Sequence, residues 1–244
     1  MQLTLASHYG AKPSGFAELV LELQQSLAAL LGAGFRPYAL EQVHGTMAGL
    51  EGVRDGERVR NENFARYRQE ERSMDMAGLL HFLRNDFKDF EVRVGGFSEE
   101  RDCGFTSQGQ HPFHRSFSLQ GNIAVAMGWP FENSKVVPVL DELRRELQRF
   151  GVLHKWHRAE ADVDNDFFFV LGRVAPSVST EQRQLVEARV RQQLGAMPPR
   201  LFRVKRETLA FIAYTDPQLP PGSSQAFALN DASTTPALLK GIYG

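Results

Sequence analysis

The sequence predicts an α+β fold: two pseudo-symmetric lobes, each an antiparallel sheet with helices packed on its outer face, around a central groove. Two observations predict it. The order strand, helix, strand, helix, strand occurs twice along the chain, and strands outnumber helices without a regular αβ alternation. The repeat is one of element order, not of sequence. At 244 residues the chain has ample length for a sizeable core, and a ligand would bind in the cleft between the lobes.

Each element has its own signal. Residues 2–8 alternate loosely as a first strand, followed by the turn residues Gly10, Lys12 and Pro13. Phe16, Leu19, Val20, Leu23, Leu27, Leu30 and Leu31 recur at helical spacing, with Ser14 before them and Gly32 and Gly34 after. A strand over 38–50 follows, then an exposed loop or solvated helix over 51–72, where arginines mix with acids. Met76, Leu79, Leu80, Leu83 and Phe87 mark a second helix, and Val92 and Val94 alternate in a strand over 90–97. A polar loop over 98–114 leads into one long strand, 116–129, bulged at Gly121. Val136, Val139, Leu140, Leu143, Leu147 and Phe150 share a helical face, with Ser134 to cap the start, Gly151 the end and Pro138 in the first turn. A strand over 166–174 is next. Ser179 and Gln182 resemble a capping box ahead of Leu185, Val186, Val190 and Leu194. Residues 201–215 are again β-rich until Pro217, which leaves a single bilobal domain over 1–219 and an irregular tail over 220–244.

Composition narrows the partners. A formal charge of −1 gives no global attraction to nucleic acid or anionic lipid, so a phosphate must be gripped by a local patch. No bulk nucleic-acid binding is expected. The single cysteine, Cys103, excludes an internal disulfide framework and fits a reducing compartment, with the cytoplasm as the expected location. Residues 1–9 are too short and mixed for a signal peptide, and no apolar run suggests a membrane span.

The chemistry centres on His44-Gly45-Thr46-Met47. Residues two apart on a strand share a face, so a general acid/base would stand beside a hydroxyl able to hold a phosphate oxygen. Other groupings are weaker. His111 with His114 and His154 with His157 have paired spacing for zinc, with Asp162, Asp164 and Asp166 nearby, but lysine and arginine interleave with them. The acidic run fails as a calcium loop because no glycine follows at the turn, and it reads as a solvated turn. Cys103 lacks a spaced partner, and the glycine pairs lack the strand-to-helix setting of a phosphate loop. Phe167 to Phe169 reads as alternating core, with one member, Phe168, free to stack on a base in the groove.

Over residues 2–216 the order of elements, together with His44-Gly45-Thr46-Met47, resembles the two-histidine phosphoesterase superfamily. This is the LigT-like fold of RNA 2′,3′-cyclic phosphodiesterases and so-called 2′-5′ RNA ligases. The resemblance implies two His-x-Thr/Ser-hydrophobic motifs, one per lobe, facing across the groove, with neither metal nor cofactor. The second motif would fall on the strand after the third helix, where Phe168 and Val170 stand in place of its histidine and threonine. His114-Arg115-Ser116-Phe117 fits the motif pattern, and its loop would border the groove.

The implied site is therefore His44 and Thr46 opposed by His114 and Ser116, with Arg115 or Arg173 as phosphate clamp and Phe168 against the substrate. The expected activity is metal-independent hydrolysis of a nucleotide or RNA-end 2′,3′-cyclic phosphodiester by a monomer. A degenerate nucleotide- or metabolite-binding module and a metal-dependent hydrolase built on the histidine pairs are the alternatives.

Overall fold

Period-two burial along the strands and apolar stripes along the helices produce one large antiparallel sheet with helices packed into a common core. The computed structural model describes residues 1–244. In chain order the elements begin β1 (Gln2–Ser7), α1 (Ser14–Leu31), β2 (Phe35–Pro37), β3 (Gly45–Leu50), β4 (Gly52–Asp55), β5 (Arg58–Asn61), α2 (Met76–Asn85) and β6 (Phe90–Val94). Then come α3 (Pro112–Arg115), β7 (Phe117–Gln120), β8 (Ile123–Glu132), β9 (Lys135–Val136), α4 (Val139–Glu146) and β10 (Phe167–Val174). The chain closes with α5 (Thr180–Ala196), β11 (Arg200–Val204), β12 (Leu209–Tyr214), β13 (Gln225–Ala228) and α6 (Pro236–Gly241).

The main path of the sheet is β11-β6-β8-β10-β3-β1-β12-β13, antiparallel at every pairing. Its narrowest junction lies at the middle, where β10 and β3 share a single residue pair, Phe169 with Gly45. Gly45 is required there because a Cβ would overlap the ring of Phe167. Leu3 and Leu5 of β1, Phe167, Phe169 and Leu171 of β10 and Phe211 of β12 face the helices. Phe16 of α1 stacks on Phe202 of β11 at 4.4 Å and meets Phe169 of β10 edge-on at 5.1 Å, which ties α1 to both ends of the β11-β6-β8-β10 half of the sheet. The opposite face carries two smaller apolar clusters, one around Val125, Met127, Trp129 and Phe131 and one around Ala6, Ile212, Tyr214 and Leu219.

Several sequence expectations change. The strand over 38–50 starts only at Gly45, after a 3-10 turn over Leu40–Gln42, so His44 sits just before the strand. Residues 51–72 are not a loop or solvated helix: β4 and β5 pair as a hairpin around Gly56-Glu57, and a π-helical turn follows over Phe64–Arg68. The single strand over 116–129 is a hairpin, because Gly121 adopts φ 58° in a two-residue turn joining β7 to β8 instead of bulging. Ser134 caps no helix: with Asn133 it forms the positive-φ turn between β8 and β9, and α4 starts after Pro138.

The tail over 220–244 is ordered, with β13 added to β12 and α6 docked through buried Leu239 and Tyr243. The Tyr243 hydroxyl donates to the Leu50 carbonyl at 2.5 Å. Residues Ser14–Gly34 are, by length and composition alone, apolar enough to cross a membrane, contrary to the expectation of no such run. Phe16, Leu19, Val20, Leu23, Leu27 and Leu31 are nevertheless buried in the core.

Docking of the tail has a direct consequence for stability. Leu239→Ala empties a fully buried site and is expected to cost about 2–5 kcal/mol in urea denaturation. A change within about 0.5 kcal/mol, the range of surface substitutions, would mean that the tail is not part of the core.

Candidate functional site

On the face away from the helices, β3 and β10 wall a cavity of about 360 Å³. His44 and Thr46 line it from one side, Phe168 and Val170 from the other, and Lys155 and His154 contribute from the loop before β10. Tyr38, Gln42, Glu51 and Tyr214 add further polar groups to its wall. The pleat explains the selection on β10, since Phe167, Phe169 and Leu171 turn to the core and leave Phe168 and Val170 to the cavity.

His44 is held in a defined protonation state. Its Nδ1 lies 2.7 Å from the Gln42 carbonyl oxygen, which can only accept, so Nδ1 carries the proton and Nε2 keeps a lone pair. Burial lowers its pKa to about 4, partly opposed by the Gln42 bond and reinforced by the positive charge of Lys12. Tyr9 meets the imidazole edge-on at 5.8 Å. Lys12 donates to the carbonyls of His8 and Gly10 at 3.0 Å each, and burial lowers its own pKa to about 8, with Glu41 opposing. His44 is therefore neutral at pH 7 and equipped to accept a proton.

Behind Thr46 lies a buried charge cluster. Arg144 of α4 is 0% exposed, and its guanidinium donates to the carbonyls of Thr46 at 3.0 Å and Met47 at 2.9 Å. It also donates to the carbonyls of Asp164 at 3.0 Å and Asp166 at 3.2 Å, and pairs with the Asp164 carboxylate at 3.1 Å. His154 Nε2 is 2.8 Å from Asp164, and His157 Nε2 is 2.9 Å from Asp141. Burial, with Arg144 adding to it, lowers the His154 pKa to about 3, so this imidazole is no proton donor at neutral pH. Burial tends to raise the Asp141 pKa, but hydrogen bonds from His157, Arg145 and the Asp164 backbone bring it down to about 2. Asp166 accepts from Trp129 Nε1 at 2.7 Å, Ser107 at 2.6 Å and Arg115 at 2.7 Å. The acidic run is thus not a solvated turn. Its alternate members Asp164 and Asp166 point inward and are neutralised there.

The other sequence-predicted residues lie elsewhere. His114 is on α3 with its side chain 45% exposed and Nε2 3.4 Å from Glu99, outside the cavity that holds His44. Ser116 is buried with its hydroxyl donating to the Phe113 carbonyl at 2.7 Å. The opposing pair expected from His114 and Ser116 is therefore not assembled at His44. Arg115 borders an adjoining cavity and is engaged by Asp166, and Arg173 lies exposed at the far end of β10, paired with Arg36 of β2. His111 caps α3 through Nδ1, and its Nε2 donates to the Arg101 carbonyl at 2.9 Å, so the two histidine pairs never converge. No group of three or more His, Cys, Asp or Glu side chains is disposed to hold a metal ion.

Sequence reasoning missed Lys155, Gln42, Lys12 and Arg144. For Arg144 a signal existed, because it follows Leu140 by four residues and so shares the apolar face of α4.

No protein-family model matches the sequence, and no curated protein matches it. Among solved structures, TT0787 of Thermus thermophilus is similar at 16% identity and a TM-score of 0.42, over 94% of this chain and 96% of that one. LigT of E. coli, crystallised with 3′-AMP, is similar at 14% identity and a TM-score of 0.43, over 93% of each chain. Similarity at this level assigns no activity to the chain.

Arg144→Met removes one partner of a buried ion pair and leaves Asp164 without its cation. A loss of about 3–5 kcal/mol in urea denaturation is expected. A loss below about 1 kcal/mol would show that the cluster does not fasten β3 to the loop before β10.

Proposed function

We propose that the groove takes a 2′,3′-cyclic phosphodiester at a nucleotide or RNA end and hydrolyses it without metal. In this reading the two halves of the sheet are two lobes, and β3 and β10 hold equivalent positions across the groove. The observation that carries the proposal is the neutral His44, whose Nδ1–H is fixed by Gln42 and whose free Nε2 shares a cavity with Thr46 and Lys155.

His44 Nε2 takes a proton from water, and the water oxygen forms a new bond to phosphorus. One ribose–phosphate P–O bond breaks, and its electron pair goes to the departing ribose oxygen. The Lys155 ammonium offsets the charge on phosphate and supplies that oxygen with a proton. The Thr46 hydroxyl donates to a non-bridging oxygen. Phe168 gives the base an apolar surface, and the Glu51 carboxylate, bonded to Tyr214 at 3.3 Å, can accept from a ribose hydroxyl. Phe168 and Val170 also favour a second reading, because they leave the far wall without an acid/base: a module that binds the nucleotide and does not turn it over.

Incubation with a 2′,3′-cyclic nucleoside monophosphate, followed by chromatography, separates the two. Turnover is expected to yield a nucleoside monophosphate, with His44→Ala lowering kcat/KM by about 10²–10⁴ and Thr46→Val by about 10². Unchanged turnover in His44→Ala would remove the base assignment, and calorimetric binding with no product would select the binding module. The pH profile has a sign as well. The base works unprotonated, so kcat/KM is expected to stay level from neutral pH towards pH 5 and fall as pH drops through about 4. A fall centred near the ordinary imidazole value of about 6.5 would contradict a half-buried His44 held neutral.

A further inference from the structure

Outside the His44 cavity, cations and rings alternate in a run that the chemistry above does not use. Arg66 lies 6.0 Å from the ring centre of Tyr67, and Arg158 lies 5.2 Å from that same ring and 5.1 Å from Trp156. Lys155 follows at 5.6 Å from Trp156 and 5.5 Å from Phe168. Two distant parts of the chain supply these side chains: the π-helical turn after β5, and the loop before β10 together with the start of β10. The run is open to solvent, with Trp156 42% exposed and Arg66, Lys155 and Arg158 exposed. It also leads somewhere. Lys155 and Phe168 line both the His44 cavity and an adjoining one of about 370 Å³, which Trp156 borders.

We propose that this run is a track for single-stranded nucleic acid, leading a strand over Tyr67 and Trp156 into the groove. Unpaired bases stack on aromatic rings and on guanidinium planes, while lysine and arginine follow the phosphates. Alternation of the two is what such a strand requires. Arg66 is partly offset by Glu62 at 3.9 Å, whereas the charged groups of Lys155 and Arg158 lie over rings and form no salt bridge. With a formal charge of −1 on the whole chain, attraction is confined to this patch, so binding depends strongly on salt. An acidic peptide would use the charges but would leave Tyr67 and Trp156 without a role. The track stands on its own geometry, and only the placement of the strand's end at His44 rests on the phosphodiesterase reading.

Fluorescence anisotropy of the full chain with a labelled single-stranded RNA of about ten nucleotides tests the track. Wild type is expected to bind, Trp156→Ala to weaken binding about tenfold, and Arg158→Ala to reduce the slope of log affinity against log salt by about 0.7. Tyr67→Ala provides a second stacking variant, and circular dichroism confirms that each variant is folded. No binding by wild type, wild-type affinity in both folded ring variants, or displacement by polyglutamate as readily as by unlabelled RNA would each overturn the proposal. Binding without cyclic-nucleotide turnover would leave the track standing and overturn the phosphodiesterase reading, and turnover without RNA binding would do the reverse.

Discussion

The groove depends on the buried guanidinium of Arg144. Four backbone carbonyls, two on β3 and two in the segment before β10, converge on it, and the Asp164 carboxylate balances its charge. The sheet is narrowest where these strands meet, at the single pair of Phe169 with Gly45, so backbone pairing alone holds the two walls weakly. A planar fork with fixed donor directions is suited to this task, whereas a lysine ammonium has no equivalent geometry. The cost of burying the charge is offset by complete pairing, and that same pairing draws Asp164 and Asp166 inward. The charges of Asp164 and Asp166 are thereby balanced by Arg144 and Arg115, and Glu51 is the carboxylate that lines the cavity itself.

The two walls differ in chemistry as well as in origin. On the β3 side a neutral imidazole, a hydroxyl and a backbone carbonyl stand together, while on the β10 side Phe168 and Val170 present carbon. Burial and Lys12 keep His44 uncharged, so at neutral pH its Nε2 is a lone-pair acceptor and not an acid. The positive charge comes instead from Lys155, on a loop held by His154 and His157 through their aspartates. One position serves two purposes, since Lys155 also lies over the rings of Trp156 and Phe168 at the mouth of the groove.

The parts legible in the sequence are those governed by local periodicity. The stripes of α1 and α2 and the alternation of β10 were readable because each buries one face, and spacing records that face directly. On α5, by contrast, Val186, Val190 and Leu194 are buried and Leu185, read with them, is 55% exposed. Tight turns were less legible. Gly121 and the Asn133-Ser134 pair reverse the chain in two residues, and composition alone made one a bulge and the other a cap. His44, Thr46 and Phe168 could be assigned to one groove because they sit on or beside strands whose faces alternate. Lys155 and His114 could not be sorted in advance: which histidine or lysine reaches the cavity depends on loop paths, and those are set by long-range partners such as Asp164 and Glu99.

The decisive quantity is the proton on His44. Nitrogen-15 chemical shifts of its imidazole, followed from pH 7 towards pH 4, report both tautomer and charge directly. The expected result is a neutral ring at pH 7 with the proton on Nδ1, protonating only as pH approaches about 4, and with Nε2 shifting on addition of a 2′,3′-cyclic nucleotide. An imidazolium at pH 7, or a neutral ring carrying its proton on Nε2, would contradict the assignment of His44 as the base of this groove.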